Sequence, residues 1–322
     1  MRILIFGIKV VLDAYRDTKR IIKHLNLISL NRIIIVPKLF LIRLIYTLSF
    51  FRNLIKPNIK ESISFDDYFE EKEIFSKNLT LSIDKDGCTN VYNLKKSLKK
   101  EIIDEIFLNK EIEYKNINKQ NINNEILIKK ENEELETYFD RLANNNVSRV
   151  TGFIDLKKES IIQSFITSKP LISLAKSYLN SNNFSINATY FISSPINISR
   201  EEKFANAQYF HWDNDFSKFI KLYFYLTDVD QNSGPHIFIP DTHKKKNLSS
   251  SLPRLYDDKI IYETYDKKKK YIGKSGSIFF TDGYGLHKGE TPERNSRLIL
   301  NVHYGKNKIL YSNKDIFYKN AD

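Results

Sequence analysis

Residues 208–213 read Gln-Tyr-Phe-His-Trp-Asp and place His211 and Asp213 two positions apart in a run typical of a β-strand. Side chains alternate across a strand, so residues at i and i+2 project from the same face. An imidazole and a carboxylate on one face can supply two of the three ligands of a 2-His-1-carboxylate iron(II) site. A second histidine from a distant strand would complete it. His287, 74 residues beyond Asp213 and followed by Lys-Gly, is the natural candidate.

Arg297 follows His287 by ten residues, in a segment that again alternates like a strand. A guanidinium that points into a barrel needs an anionic partner, because an unpaired buried charge is unfavourable. A dicarboxylate cosubstrate could supply that anion through two parallel hydrogen bonds. Taken alone, Arg297 is explained better by pairing with an internal Asp or Glu, or by exposure of its face. Together with the three candidate metal ligands, cosubstrate binding is favoured.

The positive charge of the chain is unevenly placed. The 322 residues are 41% hydrophobic and 28% charged, with a formal net charge of +12. Residues 1–60 contain twelve Lys or Arg and two Asp, whereas the remaining 262 residues contain 39 basic and 37 acidic groups. The main body is nearly neutral, which disfavours a nucleic-acid partner. The single cysteine, Cys88, excludes an internal disulfide and a cysteine-based zinc cluster, and favours a reducing, cytoplasmic location.

The basic segment, residues 1–60, is also strongly apolar. Its longest uncharged apolar-leaning run, residues 44–51, is far short of the roughly 20 residues that span a bilayer. A secretory signal is not indicated, because basic residues continue throughout. Two interpretations remain. The segment is either an amphipathic helix lying peripherally on an anionic membrane, or a pair of helices packed on the main domain. Packing is favoured, since most amphipathic helices in soluble chains are packing elements.

The sequence predicts a helical basic segment at 1–60, a polar linker at 61–78 and one domain at 79–322. Within the domain, residues 79–93 are predicted to form a strand–turn–strand with Asp86-Gly87 as the turn. Helices are predicted at 94–108, 132–142 and 158–179, the last interrupted near Pro170. Residues 111–130 are Asn- and Lys-rich, which predicts a variable surface excursion.

From residue 184 the pattern changes to short strands with Gly- and Pro-marked turns. In one of them Leu222, Phe224 and Leu226 alternate with Lys221, Tyr223 and Tyr225. The predicted strands are 186–193, 204–213, 219–228, 236–239, 277–281 and 296–304. Such a series predicts an α+β fold with a β-sandwich or jelly roll at its core and the earlier helices packed outside it.

Four motifs of this region occur in a recognisable order. They are Gln208-Tyr-Phe-His-Trp-Asp-Asn-Asp215, Phe219-Ile-Lys-Leu-Tyr-Phe-Tyr-Leu-Thr-Asp-Val229, Asn232-Ser-Gly-Pro-His-Ile-Phe-Ile-Pro240, and Phe280-Thr-Asp-Gly-Tyr-Gly-Leu-His287 with Arg297 behind it. Together they resemble the phytanoyl-CoA dioxygenase-like family of iron(II)/2-oxoglutarate-dependent oxygenases. The resemblance covers about residues 79–305 and is strongest over 204–305. Family members usually carry a Pro-Gly-Ser-His turn, where this chain has Pro240-Asp241-Thr242-His243. That difference removes no metal ligand.

The resemblance implies a double-stranded β-helix that binds Fe(II) through His211, Asp213 and His287. It also implies that Arg297 holds a carboxylate of 2-oxoglutarate. With O2 as the second cosubstrate, the implied reaction is hydroxylation, accompanied by release of succinate and CO2. Halogenation is disfavoured, because halogenating relatives lack the carboxylate ligand that Asp213 provides.

Three further residues are candidates for the cosubstrate pocket. Lys221, Tyr223 and Tyr190 could line it, although strand packing explains each of them at least as well. The substrate is left open between a small molecule, a lipid and a glycan. A rival function is a non-catalytic metal-binding jelly roll that acts as a sensor or scaffold at a membrane or partner surface. Retention of the three ligands together with Arg297 favours the enzyme, and no obligate protein partner is indicated.

Overall fold

A computed structural model describes residues 52–107, 112–116, 123–213, 217–246, 255–308 and 312–320 of the chain. Most of the predicted basic segment, residues 1–51, lies outside these ranges. Its packing and its membrane contact both stay predictions. No helix within the described ranges is long and apolar enough to cross a bilayer.

The described residues form eight helices, six of which precede residue 180. They are α1 (Ser76–Asp86), α2 (Lys96–Ile106), α3 (Asn124–Leu127), α4 (Leu135–Asn144), α5 (Ile161–Ile166), α6 (Lys169–Leu179), α7 (Arg200–Ala205) and α8 (Asp258–Thr264). The helices predicted at 94–108 and 132–142 correspond to α2 and α4, and the one at 158–179 to the pair α5 and α6. The break falls just before Pro170, which lies in the first turn of α6, where its missing N–H costs no helical hydrogen bond.

The described residues also form thirteen strands, ten of which follow residue 180. They are β1 (Tyr92–Asn93), β2 (Ile112–Asn116), β3 (Val147–Phe153), β4 (Phe184–Ser193), β5 (Phe210–His211), β6 (Phe219–Tyr225), β7 (His236–Phe238), β8 (Leu255–Tyr256), β9 (Lys269–Tyr271), β10 (Ser277–Thr281), β11 (His287–Gly289), β12 (Arg297–Gly305) and β13 (Ile316–Tyr318).

The strands form two antiparallel sheets. The larger has the order β1-β10-β6-β12-β4-β3-β2, with β13 also paired to β4, and the smaller has the order β8-β5-β11-β7-β9. Between β4 and β12 the chain passes back and forth between the sheets. Strands β4, β6, β10 and β12 lie in the larger one, and β5, β7, β9 and β11 in the smaller. This arrangement is a double-stranded β-helix, so the predicted fold class is confirmed.

The central strand β6 is buried on both faces. On one face Leu222 and Phe224 join a large core that the helices cover. On the other face Tyr223 and Tyr225 pack between the two sheets against Phe238 of β7. The alternation predicted for this strand therefore separates a purely apolar core from the inner face of the β-helix, where polar side chains collect.

Residues 61–78, predicted as a linker, pack as part of the domain. Phe65 and Phe69 are fully buried in the helix-side core, and their rings stack with centroids 4.8 Å apart. The amide of Phe65 also donates to the carbonyl of Ile74 at 2.8 Å. The boundary predicted at residue 79 does not mark an edge of the structure, because the core is filled in part by aromatic rings that precede it.

The strand–turn–strand predicted at 79–93 is wrong in its first half, which belongs to helix α1. Gly87 ends this helix in the left-handed region with a φ of 80°, and its N–H donates to the carbonyl of Ile83. An Asp-Gly pair suits a hairpin turn and a helix C-cap equally, because both need a residue with positive φ. Burial of Leu79 and Ile83 in the helix-side core decides the outcome.

Two other predictions need correction. Most of the strand predicted at 204–213 is absent: residues 200–205 form α7, whose N-cap Ser199 accepts from the amide of Glu202, and only Phe210–His211 is extended. Within the surface excursion predicted at 111–130, β2 pairs with β3 and adds an edge strand to the larger sheet. Strand β3 itself was not predicted.

Candidate metal and cosubstrate site

The two candidate histidine ligands meet through strand pairing. Strands β5 and β11 are antiparallel neighbours in the smaller sheet, and His211 lies directly opposite His287. Their ring centroids are 4.3 Å apart. Asp213 follows β5, and its backbone N–H donates to the carbonyl of Gly283 at 2.9 Å. Residues that are distant in sequence are therefore brought to one point by register and by one loop contact.

The ligand atoms of the three residues converge. One atom from each of His211, Asp213 and His287 lies within 4.8 Å of the others. The Nε2 atom of His211 is 4.0 Å from Oδ1 of Asp213, and Nε2 of His287 is 3.5 Å from its Oδ2. Two imidazoles and one carboxylate at these separations fit a single divalent first-row metal ion with open coordination positions.

Both imidazoles are held by their other nitrogen. Nδ1 of His211 lies 2.9 Å from the carbonyl of Tyr209, and Nδ1 of His287 lies 2.9 Å from the carbonyl of Gly285. A carbonyl only accepts, so each Nδ1 carries the proton and each Nε2 presents a lone pair toward Asp213. Burial, followed by the neighbouring His287, lowers the pKa of His211 to about 3, which keeps its ring neutral.

Lys221 of β6 pairs with the carboxylate ligand. Its Nζ donates a short hydrogen bond to Oδ2 of Asp213, and both side chains are buried. Burial alone would raise the pKa of Asp213, but the ammonium of Lys221 holds it well below its ordinary value. The carboxylate is therefore ionised and available to a metal. The structure places Lys221 against the candidate ligand Asp213.

Gly283 allows the loop before His287 to approach β6 closely. A Cβ at this position would lie 2.4 Å from a ring atom of Phe219 and 2.9 Å from Cε of Lys221. Only a residue without a side chain brings the carbonyl of Gly283 to the amide of Asp213 here.

Arg297 is buried without a full set of hydrogen-bond acceptors. It is 3% exposed, and its Nε and Nη1 have no hydrogen-bond partner among the described residues. A Cβ added to Gly289 would lie 2.9 Å from its Nη2, so the guanidinium lies over Gly289. Gly289 and His287 are two residues apart on β11, which puts the guanidinium about 7 Å along the strand from the candidate metal ligand.

A further histidine, His236, and the ring of Tyr223 lie beside His287 and Gly289. His236 of β7 pairs with Gly289, and its ring centroid is 5.5 Å from that of His287 and 4.3 Å from that of Tyr223. The Nε2 atom of His236 has no hydrogen-bond partner among the described residues. His236 was not predicted as a pocket residue; its position opposite Gly289 depends on a register that the sequence does not reveal.

Tyr190 is the predicted pocket residue that the structure does not bring to this site. On β4 it lies opposite Leu300, and it packs in the helix-side core with Phe107 at a ring-centroid distance of 6.2 Å. The inward face of β12 carries Arg297 and Asn301, so Leu300 and its neighbour Tyr190 face the other way. The alternative explanation for Tyr190, strand packing, is the observed one.

The turn Pro240–His243 contacts the residue that precedes His287. Asp241 adopts a φ of 67°, a left-handed conformation that Asp tolerates better than most non-glycine residues. Next to it, the hydroxyl of Thr242 donates to the carbonyl of Ile239 at 2.6 Å and accepts from the amide of Leu286 at 2.8 Å. The turn thereby holds the residue immediately before His287.

No family model and no curated protein matches the sequence. Among solved structures, the chain is similar to the epimerase SnoN in complex with Fe3+, alpha ketoglutarate and nogalamycin RO, with a TM-score of 0.49 and 12% identity over 74% of this chain and 86% of that one. It is also similar to HygX from Streptomyces hygroscopicus with nickel, 2-oxoglutarate and hygromycin B bound, with a TM-score of 0.47 and 9% identity over 72% and 88% of the two chains. These likenesses are remote, and the chemistry of this chain is inferred from its own residues.

Proposed function

We propose that the chain is an Fe(II)/2-oxoglutarate-dependent oxygenase that hydroxylates a small-molecule substrate. The observation that carries the proposal is the combination on one strand, β11, of the candidate ligand His287 and of Gly289, over which the buried Arg297 lies. A metal alone would explain the convergence of the two histidines and the aspartate. It would not explain a buried guanidinium with unused donors about two residues away.

The residues of the site fit both Fe(II) and 2-oxoglutarate. His211, Asp213 and His287 would hold Fe(II), a metal that two imidazoles and one carboxylate bind while leaving positions open. Arg297 would pair with the distal carboxylate of 2-oxoglutarate in a two-hydrogen-bond contact. When bound, the metal and the cosubstrate supply the oxidising chemistry that a side chain lacks.

The protein's own contribution is orientation and exclusion of water. The carbonyls of Tyr209 and Gly285 hold the imidazoles with Nε2 toward the metal position. Tyr223 and His236 are buried between the sheets beside Gly289 and would exclude water from the cosubstrate. Hydroxylation is preferred to halogenation because Asp213 would take the coordination position that a halide would need.

The test is formation of succinate from 2-oxoglutarate with Fe(II) and O2, in the wild type and in Asp213→Ala. We expect slow succinate formation by the wild type even without a substrate, and loss of it in Asp213→Ala. Asp228→Ala is the matched control, because that carboxylate is exposed and pairs with Lys274 at the surface. Full succinate formation by Asp213→Ala would refute the assignment. Metal binding without succinate from the wild type would favour the non-catalytic metal-binding module.

A further inference from the structure

One loop, residues 282–286, holds both the carboxylate ligand and one histidine ligand of the candidate metal site. The carbonyl of Gly283 accepts from the amide of Asp213, and the carbonyl of Gly285 accepts from Nδ1 of His287, both at 2.9 Å. The position of this loop therefore sets the position of two of the three ligands.

Asp282, the first residue of that loop, holds it in place. Its side chain is buried, and Oδ1 accepts from the amide of Tyr284 at 2.9 Å while Oδ2 accepts from the hydroxyl of Tyr178 at 2.6 Å. Its backbone donates to the carbonyl of Gly87 at 2.7 Å and accepts from the amide of Gly285 at 3.0 Å. These side-chain and backbone contacts together hold Asp282, and with it the start of the loop, in one position.

The charge partner of Asp282 is Arg52. Nη2 of Arg52 lies 3.2 Å from Oδ1 of Asp282, and the two side chains are 3% and 4% exposed. The guanidinium also lies over the ring of Tyr284, 4.1 Å from its centroid. Burial alone would raise the pKa of Asp282, but Arg52, ahead of the other neighbours, lowers it.

The backbone around Arg52 is itself anchored to the body of the domain. The side-chain amide of Asn53 donates to the carbonyl of Lys244 at 2.9 Å, and Nζ of Lys218 donates to the carbonyl of Ile55 at 2.6 Å. Arg52 is thus fixed from both its backbone and its side chain. It belongs to the basic segment predicted to end at residue 60, yet its charge is directed inward.

We propose that Arg52 is a positioning residue for the metal site: through Asp282 it fixes the 282–286 loop and thereby orients Asp213 and His287. The proposal rests on the proposed metal-binding function. Groups that contact metal ligands directly alter metal affinity by about 10- to 100-fold when they are removed, and Arg52 lies one contact further from the ligands. Loss of Arg52 would also leave a buried carboxylate without its cation, which loosens the loop that carries it.

The first experiment measures Co(II) binding to the full-length metal-free protein through the fluorescence of Trp212. Trp212 is the only tryptophan of the chain, and in the sequence it lies between the candidate ligands His211 and Asp213. Its ring centroid is 5.1 Å from that of Tyr284 in the 282–286 loop. Because Arg52 acts through Asp282, Arg52→Met is expected to weaken Co(II) binding by up to about 10-fold, the lower end of the effect of direct partners. Arg52→Lys retains the charge and is expected to recover part of that loss. Arg200→Met is the matched control, because it removes an exposed arginine that pairs with the exposed Asp257, and it is expected to bind Co(II) like the wild type.

The second experiment needs no metal. Amide hydrogen exchange in the metal-free protein is expected to rise selectively over residues 283–287 in Arg52→Met, and to stay unchanged over β12. If Arg52→Met does not fold, Tyr178→Phe removes one hydrogen bond from the same carboxylate and is expected to shift both measurements in the same direction. Unchanged exchange over 283–287, or Co(II) affinity equal to that of the wild type, would overturn the proposal. If the wild type itself binds no Co(II), the proposed function fails and the exchange measurement still decides the role of Arg52.

Discussion

His211 and His287 lie directly opposite each other on the neighbouring antiparallel strands β5 and β11, with ring centroids 4.3 Å apart. This pair defines the position at which a metal would sit, because each ring directs Nε2 toward Asp213. Their separation of 76 positions in the chain is removed by one strand pairing. The site is consequently a property of the sheet register, and small shifts of β11 would disassemble it.

Replacement of Arg297 by Met should have opposite effects on stability and on cosubstrate binding. Without 2-oxoglutarate the wild type keeps a buried guanidinium with unused donors, so Arg297→Met should raise the free energy of unfolding by about 1 kcal/mol. The same change would remove the proposed charge-assisted, two-hydrogen-bond contact and should weaken 2-oxoglutarate binding about 10- to 100-fold.

Thermal unfolding with and without 2-oxoglutarate and a divalent metal measures both effects. Arg297→Lys is the control for charge alone, since lysine lacks the planar fork of arginine. An Arg297→Met variant that 2-oxoglutarate stabilises as strongly as it does the wild type would show that this residue does not hold the cosubstrate.

Replacement of Lys221 by Met should destabilise the metal-free protein while increasing its affinity for metal. Loss of one partner from a buried ion pair leaves Asp213 uncompensated, at a cost of about 3 kcal/mol. In the variant, a metal ion no longer competes with the ammonium of Lys221 for the carboxylate of Asp213, so metal affinity should rise. Urea unfolding and Co(II) titration of the same variant test the two parts.

Lys288→Met is the matched control for Lys221→Met. Lys288 is likewise a buried lysine beside a candidate ligand, although it lies in the smaller sheet, and its partner Asp258 is 44% exposed. Breaking that pair should cost at most about 1 kcal/mol and leave Co(II) affinity unchanged. A Lys221→Met variant that loses no more stability than Lys288→Met would contradict the importance of the Lys221–Asp213 pair.

The metal-free protein should lose stability as the pH falls below about 6.5. Burial lowers the pKa of His211 and of His303 to about 3 in the folded state, whereas unfolded histidine titrates near 6.5. Between these values the unfolded state binds more protons, so stability falls with decreasing pH, by at most about 1.4 kcal/mol per pH unit for each histidine.

Urea unfolding at pH values about one unit apart, from about 7.5 to about 4.5, measures how the free energy of unfolding depends on pH. His303→Phe removes one titrating ring without removing a candidate ligand and should make the dependence shallower. Identical slopes for the two proteins would mean that His303 titrates normally in the folded state.

The β-helix was predictable because its strands carry period-two patterns of their own. In β6 the alternation of Leu222 and Phe224 with Lys221 and Tyr223 reflects two buried faces of different polarity. The spacing of His211 and Asp213 likewise follows from strand geometry. Helix α1 was missed because the Asp-Gly pair at its end is locally indistinguishable from a hairpin turn, and only packing of Ile83 in the core distinguishes them.

Contacts between distant parts of the chain could not be predicted. The face to which Tyr190 points depends on the register of β4 against β12, and the position of His236 depends on that of β7 against β11. Arg52 and Asp282 are 230 residues apart and carry no local pattern that links them. Within a run of basic residues, one arginine directed inward has the same sequence signature as its neighbours.

The most direct test of the central claim is the visible absorption of the protein with Fe(II) and 2-oxoglutarate under anaerobic conditions. Chelation of the ferrous ion by the 2-oxo acid gives a metal-to-ligand charge-transfer band, which we expect for the wild type. The band should disappear in His287→Ala, and Arg297→Met should require more 2-oxoglutarate to produce it. Absence of the band from folded wild-type protein, or its persistence at full intensity in His287→Ala, would contradict the account.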